Sequence, residues 1–194
     1  MELTTDRLII RDWHPLYDAQ QAFDIYGDPR VTRWLQSDAD SSIQVTQARL
    51  QRYCERCTNG LGVWAVVEKA IDRVIGSLLL VSLPKNDKTD SGKIEIGWHF
   101  RPASWGYGYA TEAANAVLGY GFQTLKLSII YAVATPDNIR SQRVMARLKM
   151  QSLGFTDDYY SRTLQFYSVT TEDYSSGQLA SMADRTVSIS APPT

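Results

Sequence analysis

The chain has 194 residues, of which 44% are hydrophobic and 21% charged, and its formal net charge is -1 at pH 7. This length suits one domain with a substantial core better than it suits two. The near-neutral balance supplies no overall positive field, which argues against nucleic acid or an anionic membrane as the partner. No apolar run reaches about eighteen residues, so we expect no membrane-spanning helix.

The first residues lack the basic and then apolar segments of a secretory signal. Cys54 and Cys57 form a lone Cys-x-x-Cys pair, which has half the ligands of a structural zinc site. A redox role would place the pair after a strand and at the start of a helix, but here it falls within a predicted helix. We therefore expect two free thiols, no metal site and a cytoplasmic protein.

Hydrophobic patterning predicts seven strands and four helices in one mixed α/β (α+β) sheet that is mostly antiparallel and flanked by helices. Strands are expected at residues 5–13, 63–68, 74–83, 93–100, 127–134, 153–155 and 163–169, with a loop at residues 84–92. Four helices are expected. The first begins at Pro15 and ends before Gly27, and the second is capped by Ser42 and ends near Asn59. The other two cover residues 111–122 and 138–150.

The apolar spacing also predicts which side chains face the core. In the first helix these are Leu16, Ala19, Phe23 and Tyr26, and in the last helix Ile139, Val144, Met145 and Leu148. The strand at residues 93–100 alternates strictly, with Ile94, Ile96, Trp98 and Phe100 on one face and Lys93, Glu95, Gly97 and His99 on the other. We expect residues 1–176 to form the domain and residues 177–194, rich in small and polar residues, to form a flexible tail.

A glycine-containing loop, Trp105-Gly106-Tyr107-Gly108-Tyr109-Ala110, joins this strand to the following helix. The two glycines let a ligand approach the backbone closely, and free amides at a helix N-terminus favour a phosphate. A P-loop would need Gly-Lys-Ser/Thr, and a dinucleotide-binding loop a third glycine where Thr111 stands. By itself, however, the Gly-x-Gly pattern is equally typical of an ordinary turn before a helix.

The hexapeptide resembles the pyrophosphate-binding motif of the GNAT superfamily, Gln/Arg-x-x-Gly-x-Gly/Ala, with Trp105 in the first place, Gly108 in the fourth and Ala110 in the sixth. Three segments are similar to the ribosomal-protein alanine N-acetyltransferase (Rim-type) branch: TDRLIIRDW, IEIGWHFRPASWGYGYATEA and PDNIRSQRVMARLKM. The resemblance covers the chain from about residue 4 to residue 174. It implies the GNAT acyl-CoA N-acyltransferase fold and an enzyme that moves the acetyl group of acetyl-CoA to a primary amine.

The resemblance also implies roles for particular residues. Glu95 would act as general base through water, Ser141 would protonate the departing sulfur, and Trp34 would line the acceptor side. The residues expected to hold acetyl-CoA are Trp98, His99, Phe100, Trp105, Gly106, Tyr107, Gly108, Tyr109, Ala110, Thr111, Asn138 and Ser141.

Two positions depart from the superfamily pattern. Met145 stands where a general-acid tyrosine is common, although Ser141 would take that role in the Rim-type branch. Lys149 replaces the glycine that usually ends this helix, a position that often needs a left-handed residue.

Several alternatives remain open at this level. Glu95 could be a solvated or ion-paired strand carboxylate, His99 could replace it as base or be structural, and Asn138 could simply cap its helix. Acidic side chains at Asp38, Asp40, Asp157 and Asp158 would favour a cationic amine or would merely be solvated.

The acceptor could be a protein N-terminus, a polyamine, an amino sugar or another small amine, and the protein a monomer or a homodimer. A non-catalytic acyl-CoA-binding or sensing module on the same fold is the main rival. A nucleic-acid-binding domain is disfavoured because no aromatic–basic stripe accompanies the neutral charge.

Overall fold

A computed structural model describes residues 1–35 and 37–176, so the predicted tail at residues 177–194 lies outside the described residues. The strands are β1 (Glu2–Thr4), β2 (Leu8–Arg11), β3 (Gly62–Glu68), β4 (Arg73–Pro84), β5 (Asp90–Phe100), β6 (Ile129–Ala134), β7 (Gln151–Thr156) and β8 (Leu164–Thr170). The helices are α1 (Pro15–Tyr26), α2 (Pro29–Thr32), α3 (Ile43–Glu55), α4 (Tyr109–Gly119), α5 (Ile139–Arg147) and α6 (Thr171–Ser175). None of these helices is both long and apolar enough to span a bilayer.

All eight strands join one sheet in the order β1-β2-β3-β4-β5-β6-β8-β7. Every neighbouring pair is antiparallel except β5 and β6, which run parallel because α4 carries the chain back across the sheet between them. The prediction of a single mixed and mostly antiparallel sheet flanked by helices is confirmed.

Helices cover both faces of the sheet. One core places α4, through side chains such as Ala113 and Val117, against strand residues that include Ile96 and Phe100 of β5. A second core lies between α1, α3 and the opposite face, around Leu50. The alternation predicted for β5 is therefore confirmed, because its even-numbered residues face the α4 core and leave Glu95, Gly97 and His99 on the other face.

The elements differ from the predictions in several places, including the end of α3, which lies at Glu55 instead of near Asn59. The strand predicted at residues 5–13 is reduced to β2, because residues 5–7 form a turn with a bond from the Thr5 N–H to the Leu8 carbonyl, and β1 before this turn was not predicted. The predicted loop at residues 84–92 is shorter, since β4 and β5 continue into it and pair as far as Pro84 and Asp90. Helices α2 and α6 were not predicted, because they have four and five residues and are too short to show a helical period.

Two apolar side chains predicted to be buried are exposed. Leu16 is 69% and Ile139 48% exposed. Each stands in the first turn of its helix, before the part that packs on the sheet, and the buried residues follow from Asp18 in α1 and from Val144 in α5.

Candidate active site

A cleft of about 660 Å³ opens where β5 and β6 separate. The two strands pair only at Glu95 and Tyr131, although β5 continues along β4 to Phe100 and β6 continues along β8 to Ala134. Beyond Glu95, therefore, this edge of β5 has no strand partner among the described residues. Trp98, His99 and Phe100 line the cleft there. A backbone edge without a partner needs hydrogen bonds from water or from a ligand.

The glycine loop lies at one end of the cleft. Gly106 and Gly108 have φ angles of 88° and 84°, in the left-handed region that favours glycine. Gly108 is the N-cap of α4 and has no side chain to cap the helix. The first amides of α4 therefore lack both a partner within the helix and a capping side chain. This arrangement suits an anion.

Hydrogen bonds to the end of β5 and to Arg7 hold the glycine loop in place. The Trp105 indole N–H donates to the Phe100 carbonyl at 2.7 Å, which fixes the loop to the end of β5. Arg7, just before β2, donates to the Tyr107 carbonyl at 3.0 Å and to the Glu112 carboxylate at 2.7 Å. The roles of Arg7 and Glu112 were not predicted from the sequence. The two residues are 105 positions apart, and no local motif indicates that they meet.

The loop residues do not all face the cleft. Trp105, Gly106, Gly108, Tyr109, Ala110 and Thr111 line it. The Tyr107 side chain is 63% exposed, lies outside the lining and stacks on Tyr109. Tyr107 thus contributes to the loop through its backbone carbonyl, which accepts from Arg7.

The N-terminus of α5 forms another wall. Asn138 caps the helix, its side-chain oxygen accepting from the Ser141 N–H at 3.2 Å, and both residues line the cleft. The capping role considered for Asn138 is therefore present. The hydroxyls of Thr111 and Thr135 also lie at the cleft, buried and without a hydrogen-bond partner among the described residues. Such groups need a partner, which a bound ligand would supply.

The two departures from the superfamily pattern have structural explanations. Met145 is buried in the core beside α4 and presents no polar group to the cleft. Lys149 adopts φ 59°, the left-handed conformation expected at this position. The helix end therefore keeps its shape without glycine, at a cost of about 1 kcal/mol.

Glu95 lies deep in the cleft and is only 7% exposed. Burial raises the pKa of its carboxyl to about 7, opposed by a hydrogen bond that the Tyr160 hydroxyl donates at 2.5 Å. Tyr160 and Ser161, between β7 and β8, have φ angles of 57° and 51°, so a left-handed turn brings Tyr160 to Glu95. Among the described residues Glu95 forms no ion pair, and the partner of its carboxyl group is the Tyr160 hydroxyl. No local pattern marked Tyr160.

His99 is held in a structural setting. Its Nδ1 lies 3.5 Å from the Tyr26 hydroxyl, and the two rings make an edge contact at 5.9 Å. Burial and the nearby Arg49 cation lower the pKa of His99 to about 4. The imidazole therefore stays neutral near pH 7 and is a weak base, which favours the structural role over the catalytic one.

Trp34 lines the far side of the cleft, with the Arg33 guanidinium 4.4 Å above its ring. The acidic groups expected to attract a cationic amine are placed differently. Asp40 is buried in an ion pair with Arg49 at 2.7 Å. Asp157 and Asp158 lie outside the cleft lining and accept from nearby threonine hydroxyls. Asp38 lines an adjoining pocket with Arg33 and Arg162.

Comparison with known proteins places this geometry in a family. Residues 7–151 match the family model described as an acetyltransferase (GNAT) domain. A Bacillus subtilis (strain 168) protein named uncharacterized N-acetyltransferase YoaA is 29% identical over 158 residues, covering 81% of this chain and 86% of that protein.

Solved structures share the fold. A GNAT-family acetyltransferase from Bacillus anthracis superimposes with a TM-score of 0.75 at 24% identity, over 89% of this chain and 99% of that one. A ribosomal-protein-S5-alanine acetyltransferase from Vibrio fischeri superimposes with a TM-score of 0.71 at 17% identity, over 90% of this chain and 98% of that one. At these identities the structures establish the fold alone, so the Rim-type branch stays a prediction. The family model matches three quarters of this chain, which shows that the chain belongs to the GNAT acetyltransferase family.

Proposed function

We propose that this protein transfers the acetyl group of acetyl-CoA to a primary amine, by direct attack with both substrates bound. The observation that carries the proposal is that a single cleft joins the glycine loop to the buried carboxyl of Glu95. An acyl donor anchored at the loop would thus reach a group able to accept a proton. Holding two reactants together in this way can supply roughly 7–11 kcal/mol of the barrier.

The residues present fit the proposed donor. Its pyrophosphate would bind the free amides at the start of α4, where an alanine Cβ built at Gly106 meets no atom within 4 Å. Its amide-containing arm would pair with the open edge of β5 and with the buried hydroxyls of Thr111 and Thr135. The donor supplies an activated thioester. Asn138 retains amide N–H groups that can also donate to the arm.

Proton transfer is assigned to two residues. The amine reaches the cleft protonated and loses a proton through water to the Glu95 carboxylate. A bond then forms between the amine nitrogen and the acetyl carbon, the bond from that carbon to sulfur breaks, and the nitrogen releases its second proton to solvent. The Ser141 hydroxyl donates a proton to the leaving sulfur and regains one from solvent. A carboxyl with a pKa of about 7 is well matched to the first role at neutral pH.

The test is release of free thiol from acetyl-CoA across a panel of amines: a peptide N-terminus, a polyamine, an amino sugar and an amino acid. We expect acetylation of at least one amine, and a kcat lowered about 100-fold or more by Ser141→Ala because proton donation is lost. Ser152→Ala, on the outer strand β7, is the matched control and should retain activity. Binding of acetyl-CoA without turnover on any amine would instead support the sensing module.

A further inference from the structure

The acceptor end of the cleft is built by three segments around Glu95. Tyr160 and Arg162 belong to the β7–β8 connection, and Arg162 donates to the Leu35 carbonyl at 3.4 Å, which joins that connection to the segment after α2. On the third side, Tyr53 of α3 meets Tyr26 at 5.9 Å, and Tyr26 meets His99. The site that would receive the amine is therefore bounded by α3, the segment after α2 and the β7–β8 connection.

Positive side chains line this end. Arg49 and Tyr53 of α3 and Arg56, the C-cap of that helix, stand at positions i, i+4 and i+7 and all line the cleft. Asp40 neutralises Arg49. Arg56 and Arg162 also line the cleft, and neither forms an ion pair with a carboxylate among the described residues. Among the cleft-lining residues that the structure describes, Glu95 carries the sole carboxyl group.

We infer that the amine acceptor is a small molecule that also carries an oxyanion, a carboxylate or a phosphate, which Arg56 and Arg162 bind. This inference rests on the proposed acetyltransferase function and specifies its acceptor class. Guanidinium groups bind both oxyanions through paired N–H donors. A polyamine would bring further positive charge toward Arg56 and Arg162, offset by the buried Glu95 and by Asp38, which shares the adjoining pocket with Arg33 and Arg162. The charge at this end therefore opposes the cationic acceptor that the acidic residues first suggested.

The experiment compares acceptors that differ only in the anionic group: serine with serinamide, and glucosamine 6-phosphate with glucosamine. Spermidine and a C-terminally amidated, uncharged-side-chain peptide with a free N-terminus complete the panel. For the full-length protein we expect kcat/KM at least about tenfold higher for the anionic member of one pair, corresponding to one charge-assisted contact. The pair that shows the preference tells the carboxylate from the phosphate.

Variants locate the preference. Arg56→Ala and Arg162→Ala should each lower kcat/KM for the preferred anionic acceptor about tenfold, with Arg56→Lys retaining part of it. In Arg56→Ala the kcat/KM for the neutral member of the pair and the calorimetric affinity for coenzyme A should stay within about threefold, which a structural defect would not allow. Arg52→Ala is the matched control, because it removes the same charge from an exposed site of α3 outside the cleft lining.

The outcomes separate the two hypotheses. Equal or better acetylation of the neutral amines, of spermidine or of the peptide would overturn the oxyanion inference and leave the acetyltransferase function standing. Equal losses of kcat/KM for the anionic and the neutral member of a pair in Arg56→Ala would also overturn the oxyanion inference. If no amine in the panel caused release of thiol from acetyl-CoA, both the oxyanion inference and the acetyltransferase function would be overturned.

Discussion

At the scale of single residues, the most informative side chain is Glu95. The alternation of β5 placed it opposite the core-facing residues, and the structure buries it there beside Tyr160. Burial disfavours the charged form and raises its pKa to about 7, while the Tyr160 hydroxyl stabilises the carboxylate and opposes that rise. These two effects set the pH at which Glu95 becomes able to accept a proton.

The pH dependence of kcat/KM tests this role of Glu95. Activity should rise as pH increases through about 7, because only the ionised carboxylate accepts a proton. Glu95→Gln should remove this inflection, and Tyr160→Phe should move it to higher pH because a bond to the charged form is lost. The measurement uses an acceptor whose amine titrates well above neutral pH. An unchanged inflection in Glu95→Gln would assign the titration to another group.

At the scale of elements, the strand–loop–helix unit of β5, the glycine loop and α4 was predictable from local sequence. Alternation marked the strand, and two glycines before an alanine-rich helix marked the loop. The positive φ angles at both glycines agree with that interpretation. The contacts of Arg7 and Glu112 that hold the loop were not predictable, because they depend on β2 lying next to the start of α4.

A pair of glycine variants separates backbone strain from ligand binding. Gly106 and Gly154 have φ angles of 88° and 87°, and at neither does an added Cβ meet an atom within 4 Å. Alanine should therefore destabilise both proteins alike, by about 1 kcal/mol. Only Gly106→Ala should weaken coenzyme A binding, by about tenfold or more, because its methyl group would lie where the pyrophosphate is proposed to bind.

Calorimetric titration with coenzyme A and urea unfolding provide the two measurements. Equal affinities in Gly106→Ala and Gly154→Ala would show that the loop is an ordinary turn. The Gly154 variant also reports how much of any loss comes from general destabilisation, since Gly154 lies in β7 and outside the cleft lining.

At the scale of the whole molecule, packing between the sheet and its helices creates both the cleft and a half-buried histidine. His99 lies against Tyr26 of α1, close enough to Arg49 of α3 for that cation to lower its pKa. Its protonation is therefore coupled to global folding. The unfolded chain binds a proton near pH 6.5, whereas the folded protein resists it down to about pH 4.

Acid should destabilise the protein through this residue. The stabilising contribution of neutral His99 is fully present above pH 6.5 and is lost as pH falls toward about 4, to a total of at most about 3 kcal/mol. Urea unfolding across this range should show a steeper decline in the free energy of unfolding for the wild type than for His99→Gln. Glu95 shifts stability in the opposite direction but is common to both proteins. Parallel curves would show that His99 titrates alike in both states.

The sequence by itself determined the local elements, the mixed sheet and the loop, because periodicity, caps and glycine conformations depend on neighbouring residues. It also carried the resemblance to the GNAT superfamily, which the family match confirmed. The tertiary structure alone decided the separation of β5 from β6, the approach of Tyr160 to Glu95 and the charge around the proposed acceptor site. Each depends on contacts between segments tens of residues apart, because burial decides whether a carboxyl group is charged and ion pairing decides whether a guanidinium is neutralised.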